Sequence, residues 1–88
     1  MTNDQAAVIQ LTLYGRNDCH LCEDMQNSLT ELQGTIGFSL KWIDIDTDPA
    51  LQARYSTLIP VLMHNDTEIC HYFLDPEALN SYFRQVAE

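Results

Sequence analysis

Residues 13–23 read Leu-Tyr-Gly-Arg-Asn-Asp-Cys-His-Leu-Cys-Glu, with two cysteines, Cys19 and Cys22, separated by two residues. In the stretch 8–14, which leads into this segment, apolar and polar residues alternate and predict a β-strand. A turn of helix-breaking and capping residues, Gly-Arg-Asn-Asp, follows the strand. Apolar side chains then recur at spacings of three and four, which predicts a helix that starts near the first cysteine: Cys22, Met25, Leu29 and Leu32. The cysteine pair therefore lies between a strand and the start of a helix.

This placement suits thiol–disulfide exchange. The attacking species is a thiolate, and the unpaired N–H groups and the dipole of a helix N-terminus stabilise it. We expect Asn17 or Asp18 to cap the helix. Cys19 would then be exposed as the nucleophile, and Cys22, one turn further on, would be covered as the resolving thiol. His20 either favours the thiolate, when protonated, or is simply an exposed residue at the helix start.

The rest of the chain predicts five more elements and a fold class. In order, they are a strand at 38–45, a helix at 49–55, strands at 60–63 and 68–73 joined by a tight turn, and a last helix opened by Asp75, Pro76 and Glu77. We expect strands joined through helices to run parallel and the final hairpin to be antiparallel. The order βαβαββα then predicts an α/β fold, a four-stranded mixed sheet with helices on both faces.

Composition limits the class of protein and its partners. The 88 residues suffice for one small domain, which we place at 8–88 behind a polar, flexible leader at 1–7. The formal net charge of -9 would repel nucleic acids and anionic membranes. It serves solubility or steers the protein toward a basic patch on a protein partner. No apolar run spans a bilayer, and the N-terminus lacks the basic start of a signal peptide. We therefore expect a cytoplasmic monomer with no nucleic-acid or membrane partner.

Three segments together resemble one known family. They are the stretch 13–23, then Trp-Ile-Asp-Ile-Asp-Thr-Asp-Pro at 42–49, then Arg-Tyr-Ser-Thr-Leu-Ile-Pro-Val-Leu at 54–62. Their combination and order are similar to the short bacterial glutaredoxin-like proteins of the thioredoxin superfamily, from about residue 10 to about residue 83. The resemblance implies a thioredoxin-like, glutaredoxin-type fold. It also implies a thiol–disulfide oxidoreductase whose partner is a disulfide-containing protein or a small thiol.

The resemblance also implies a substrate-binding loop beside the cysteines. The bond between Ile59 and Pro60 is expected to be cis and held next to Cys19, although X–Pro bonds in general are mostly trans. The backbone of Ile59 would pair with an extended bound thiol. Arg16 matches a basic position near the cysteines, and Arg54 matches one that serves the glycine carboxylate of glutathione.

The chain departs from the family's glutathione-binding pattern before the last helix. Glutaredoxins that bind glutathione carry Gly-Gly and an acid there, whereas this chain has Tyr-Phe-Leu-Asp-Pro at 72–76. Asp75 can match the acid, but no glycine is present and Pro76 lacks an N–H. Glutathione, a protein disulfide and another small thiol therefore stay open as substrates. No cofactor is expected other than glutathione as a co-substrate.

Two alternatives to a dithiol enzyme follow from the same residues. A zinc site would need four ligands, Cys19, Cys22, Cys70 and His71. Cys70 and His71 are neighbours in a predicted strand, so their side chains point to opposite faces of the sheet, which disfavours a single zinc site. We expect no metal and interpret Cys70 as a core residue. The fold could instead be a redox-inactive scaffold that binds a protein partner, with Tyr72 and Phe73 lining a groove. In that case Cys19→Ser would leave partner binding intact.

Overall fold

The computed structural model describes residues 9–87, and its elements follow the predicted order. The strands are β1 (Ile9–Gly15), β2 (Phe38–Asp44), β3 (Val61–His64) and β4 (Thr67–His71), and the helices are α1 (His20–Leu32), α2 (Pro49–Tyr55) and α3 (Pro76–Ala87). A short 3-10 helix, Ile45–Thr47, precedes α2. The leader predicted at 1–7 lies outside the described residues. Within them, no helix is both long and apolar enough to cross a membrane.

The strands form one mixed sheet in the order β2-β1-β3-β4. β1 and β2 run parallel, while β3 runs antiparallel to both β1 and β4. The predicted hairpin and the parallel pair joined through α1 are thus confirmed. The expectation that β2 and β3 also run parallel is wrong. α2 has 7 residues and rises only about 10 Å, so it cannot return the chain along the 7-residue β2, which is about 23 Å long.

Helices cover both faces of the sheet, as predicted, because side chains along a strand alternate between the two faces. On one face, α1 and α3 pack against the sheet in a cluster whose fully buried members include Leu11, Leu13, Met25, Leu29, Leu62 and Leu79. On the other face, α2 and the residues around it form a smaller cluster: Ile45, Tyr55, Val61 and Met63. The adjacent β3 residues Val61 and Leu62 therefore serve opposite faces.

One edge of the sheet collects most of the chain's turns. The ends of β1, β2 and β4 and the start of β3 meet there. β4 ends at His71, two residues earlier than predicted, because Tyr72 takes a left-handed φ of 66°. α3 then begins at Pro76. The predicted cap by Asp75 is confirmed, since its Oδ1 accepts two N–H groups of the first turn, each at 3.1 Å.

Candidate active site

Cys19 and Cys22 form a disulfide at the start of α1, with their Cα atoms 5.2 Å apart. Cys19 is half-buried, whereas Cys22 is 1% exposed and lies on the buried stripe of the helix. A disulfide opens and closes by attack of a thiolate on one of its sulfurs, so the more accessible sulfur meets a partner first. The arrangement fits an outer nucleophile and an inner resolving thiol.

The predicted cap of α1 is wrong. Cys19 itself is the N-cap, and its Sγ accepts the N–H of Cys22 at 3.1 Å. Asp18 instead takes a φ of 61°, a left-handed conformation that Asp adopts more readily than most residues, and the Asn17 amide donates to Asp44 at 3.4 Å. The N–H that a capping carboxylate would have accepted therefore points at sulfur. In the reduced protein this backbone donor stabilises the Cys19 thiolate.

Carboxylates outnumber basic side chains at the cysteine pocket, where Asp18 and Glu23 line the walls together with Arg16. Arg16 lines a pocket of about 170 Å³ together with the cysteine pair, and its Nε donates to both carboxylate oxygens of Asp46 at 3.1 Å. Glu23 lines the same pocket from the first turn of α1. His20 is exposed at the first position of that helix. Because Arg16 is ion-paired, the start of the helix provides the main stabilisation for a thiolate here.

Gly15 and Trp42 form the wall behind Cys22. A Cβ on Gly15 would lie 2.6 Å from the Trp42 ring and 3.0 Å from the Cys22 sulfur, closer than atoms pack. The sequence predicts Gly15 only as part of a turn, but in the structure it is the last residue of β1 and is required for this close approach. The parallel register, which places Trp42 opposite Leu13, is the signal that would have revealed the contact.

The bond between Ile59 and Pro60 is cis, as the family resemblance implies. The antiparallel register pairs Tyr14 with Val61, so Pro60 lies beside Gly15 at the end of β1. This is the same edge of the sheet from which the chain continues to the cysteines. The structure therefore brings the loop that ends at Pro60 to the cysteine end of the sheet.

Tyr72 holds this loop, a role that the sequence does not predict, since it offers Tyr72 only as a residue that lines a partner groove. Its N–H donates to the carbonyl of Pro60 at 2.9 Å, and its hydroxyl donates to the carbonyl of Thr57 at 2.8 Å. Tyr72 has a left-handed φ of 66° and ends β4 at this point. No sequence pattern predicts a positive φ for a tyrosine, which explains why it was missed.

A Tyr72→Phe variant is expected to loosen the loop without unfolding the protein. The lost hydroxyl bond is worth about 0.5–1.5 kcal/mol, so amide hydrogen exchange at Leu58 and Ile59 should become about twofold to tenfold faster. The matched control is Tyr82→Phe, which removes a hydroxyl bonded to His64 near the opposite edge of the sheet. Equal exchange at Leu58 and Ile59 in both variants would show that the Tyr72 hydroxyl does not hold the loop.

The resemblance connects Arg54 and Asp75 with glutathione, but in the structure both side chains interact with other parts of the protein. The Arg54 guanidinium lies 5.4 Å from the centre of the Tyr55 ring, in the cluster on the face opposite α1. Arg54 does not line the pocket of Arg16 and the cysteines. The Oδ1 atom of Asp75 is used as the cap of α3. The structure thus brings Arg16 to the cysteine pocket but not Arg54.

An apolar groove of about 260 Å³ adjoins the cysteines, and we call it the Phe73 groove. It lies between α1 and the segment 72–74, with Leu21 and Met25 on the helix side and Tyr72 and Phe73 opposite. Leu21 is one of the two residues between the cysteines. Phe73 is 67% exposed, which is unusual for a side chain of its size.

Cys70 is a free, half-buried thiol in β4. Burial raises the pKa of Cys70 above its ordinary value and outweighs a hydrogen bond from the Asp75 backbone that lowers it, while the carboxylates of Asp75 and Glu68 act in the same direction as burial. It packs against the larger core cluster, in agreement with its interpretation as a core residue. Across residues 9–87, no three His, Cys, Asp or Glu side chains are grouped so that they could hold a metal ion.

In the oxidised protein, alkylation should report on Cys70 alone, because Cys19 and Cys22 are bonded to each other. The thiolate is the reactive form, so a raised pKa predicts slow modification by iodoacetamide at about pH 7. The rate should still be rising with pH at about 8.5, the ordinary pKa of a thiol. A plateau below about pH 8 would contradict the raised pKa, and Cys70→Ser should remain unmodified throughout.

Comparison with known proteins adds a family and several relatives of known structure. A family profile described as Glutaredoxin-like domain (DUF836) matches residues 10–84. The chain is 44% identical to protein Ne2328 from Nitrosomonas europaea, with a TM-score of 0.78 over 85% of this chain and 91% of that one. It is 28% identical to protein XcR50 from X. campestris, with a TM-score of 0.64 over 85% and 96%.

A third similar structure is the glutaredoxin-like protein NrdH-redoxin from Escherichia coli, described as having a thioredoxin-like activity profile. It is 26% identical, with a TM-score of 0.56 over 83% of this chain and 93% of that one. No functionally curated protein matches the chain.

Proposed function

The chain belongs to the family of the Glutaredoxin-like domain (DUF836), and from this premise we propose that it is a dithiol thiol–disulfide oxidoreductase with Cys19 as nucleophile and Cys22 as resolving thiol. Its strand order and helices are those of the thioredoxin-like fold. The observation that carries the proposal is the asymmetric disulfide at the start of α1, in which Cys19, the N-cap, is half-buried and Cys22 is fully buried.

The reaction proceeds in two exchange steps. The Cys19 thiolate attacks a substrate disulfide, a mixed disulfide forms, and one substrate thiolate leaves. The Cys22 thiolate then attacks the Cys19 sulfur and releases the second substrate thiolate. The two leaving thiolates take up the two protons of the dithiol. The substrate gains two electrons, and the Cys19–Cys22 disulfide is the oxidised product.

The backbone of Ile59 supplies a place for the substrate chain. Its N–H donates to the carbonyl of Tyr55 at 3.1 Å. Among the described residues, no donor is bonded to the Ile59 carbonyl, so that carbonyl accepts an N–H from an extended substrate. The bond of Tyr72 to Pro60 holds the loop in place for this contact.

A protein reductase, rather than glutathione, is the proposed source of electrons. Three observations at the positions that the resemblance connects with glutathione support this choice. The Oδ1 atom of Asp75 caps α3, and Arg54 lies over Tyr55, on the face of the sheet opposite α1. Pro76 has no N–H to donate to a bound glutathione. The similar E. coli NrdH-redoxin is described as having a thioredoxin-like activity profile. We further propose that the protein is a cytoplasmic monomer.

The test is turnover of 2-hydroxyethyl disulfide, measured as NADPH consumption with each of two electron sources. One is glutathione with glutathione reductase, and the other is thioredoxin reductase. We expect turnover with thioredoxin reductase, its loss in Cys19→Ser, and unchanged turnover in the matched control Cys70→Ser.

The outcomes separate the candidate functions. Turnover with glutathione alone would keep the dithiol reaction and overturn the proposed donor. If neither electron source gives turnover that is lost in Cys19→Ser, the proposed enzymatic function is overturned. A redox-inactive binding scaffold is then favoured.

A further inference from the structure

The surface around Phe73 is apolar at its centre. The Phe73 groove and a wider, shallow cavity of about 530 Å³ on the β4 side share Phe73 and Leu74. Leu21 and Tyr72 are also exposed at the groove. An exposed apolar cluster of this kind marks an interaction site, and this one begins between the two cysteines of the proposed reaction. We call the two cavities together the Phe73 surface.

Carboxylates surround this apolar centre. Asp24 lines the Phe73 groove, and Glu68 and Asp75 line the neighbouring cavity. No Lys or Arg within residues 9–87 lines either of them. His71 lines the second cavity, and its Nδ1 is paired with Glu68 at 2.5 Å, so Asp24 and Asp75 are the carboxylates of the border that have no basic partner among the lining residues.

Two of the chain's four Lys and Arg residues interact with side chains elsewhere. Arg16 is paired with Asp46 at the edge of the cysteine pocket, and Arg54 lies over Tyr55 on the opposite face. A partner that docks on the Phe73 surface therefore meets an apolar centre with a negative border. Complementarity requires the opposite charge on the partner.

From this complementarity we infer that the substrate of the proposed dithiol reaction is a protein disulfide whose half-cystine is flanked by an apolar residue and by Lys or Arg. The inference rests on the proposed function and adds the class of substrate. The apolar residue covers Phe73, and the cation faces Asp24, Glu68 and Asp75. Glutathione has two carboxylates and no apolar side chain, so it satisfies neither requirement.

The test uses three blocked tetrapeptides, each as its symmetric disulfide. All three contain leucine followed by cysteine, and the two outer residues are lysine, glutamine or glutamate. Pre-reduced protein is mixed with each peptide, and a single oxidation of the dithiol is followed, so that no further reductant is required. Each rate is divided by the rate of 2-mercaptoethanol with the same peptide, because charge also changes the intrinsic reactivity of a disulfide.

We expect the normalised rate of the lysine peptide to exceed that of the glutamate peptide by about tenfold at low salt, with glutamine between them. Asp24→Asn should reduce that ratio about threefold. The matched control is Glu31→Gln, the same change of charge two turns further along α1 and outside the Phe73 surface. Phe73→Ala should slow all three peptides by up to about tenfold.

Equal normalised rates for the three peptides would overturn the inference, as would a loss of preference in Glu31→Gln as large as that in Asp24→Asn. Oxidation by the uncharged 2-hydroxyethyl disulfide distinguishes this failure from failure of the proposed function. If that reagent reacts in a manner dependent on Cys19 while the peptides show no preference, only the substrate class is wrong. If it does not react either, both the proposed function and the inference are overturned.

Discussion

A Cys22→Ser variant is expected to remain covalently bound to its substrate through Cys19. The first exchange step needs only the accessible sulfur of Cys19 and the N–H that points at it. The second step needs the Cys22 thiolate, which sits one helical turn away with its Cα 5.2 Å from that of Cys19. Removal of an intramolecular nucleophile lengthens the life of the mixed disulfide by about 10²-fold or more. Intact-mass spectrometry after addition of 2-hydroxyethyl disulfide should show one adduct per chain.

Two controls make this result specific. Cys19→Ser should form no adduct, because Cys22 is 1% exposed and cannot reach an external disulfide. The variant with both Cys22→Ser and Cys70→Ser should keep the full adduct, since Cys70 is a slow thiol in the core cluster. An adduct that is lost with Cys70 rather than with Cys19 would place the nucleophile in β4 instead of at the start of α1 and contradict the mechanism.

A Gly15→Ala variant should lose a large part of the stability of the fold. The new Cβ would lie 2.6 Å from the Trp42 ring and 3.0 Å from the Cys22 sulfur, so a strand or a ring must move. Overpacking of this kind costs about 1–3 kcal/mol, which corresponds to roughly 4–8 °C in Tm per kcal/mol for a domain of this size. Urea unfolding measures the change, and Trp42, the sole tryptophan of the chain, reports it by fluorescence.

Gly37→Ala is the matched control, because a Cβ there meets no atom within 4 Å and its φ is not positive. We expect it to be neutral or to stabilise by up to about 1 kcal/mol through the unfolded state. Trp42→Leu combined with Gly15→Ala should restore part of the lost stability by removing the ring. If Gly15→Ala and Gly37→Ala behave alike, the close approach of Trp42 is not a constraint.

The general architecture could be predicted because its signals are local. Alternation along β1 and the three-and-four spacing from Cys22 to Leu32 each depend on neighbours in sequence, as does the cap at Asp75. The direction of β3 was missed since it depends on how far α2 carries the chain in space. The cis bond at Pro60 came from family resemblance, because residue preferences alone favour trans.

Within the site, the cysteines and the residues next to them in sequence were predictable. Residues that other strands bring to the site were not. Cys19 and Cys22 were assigned correctly to a helix start. Asn17 or Asp18 was predicted as the cap because side chains with oxygen acceptors are the usual N-caps. The sequence gives no sign that the sulfur of Cys19 takes that role. Trp42 is brought to the site by the pairing of β2 with β1, and Tyr72 lies where β4 ends in a left-handed residue. The spacing of residues along the sequence reveals neither of these features.

Because β3 is antiparallel to β1, the cysteine pair and the β3–β4 turn lie at opposite ends of the sheet. The cysteine loop, the loop before Pro60 and the start of α3 all occupy one edge of the sheet, whereas the turn at Asn65 and Asp66 closes the other. Exposed turn tips accept insertions with little effect on the rest of a domain. The protein can therefore be tethered through that turn to a bead, an electrode or a second domain with its dithiol facing outward. In such a fusion the sheet serves as a spacer that sets the orientation of the reactive pair.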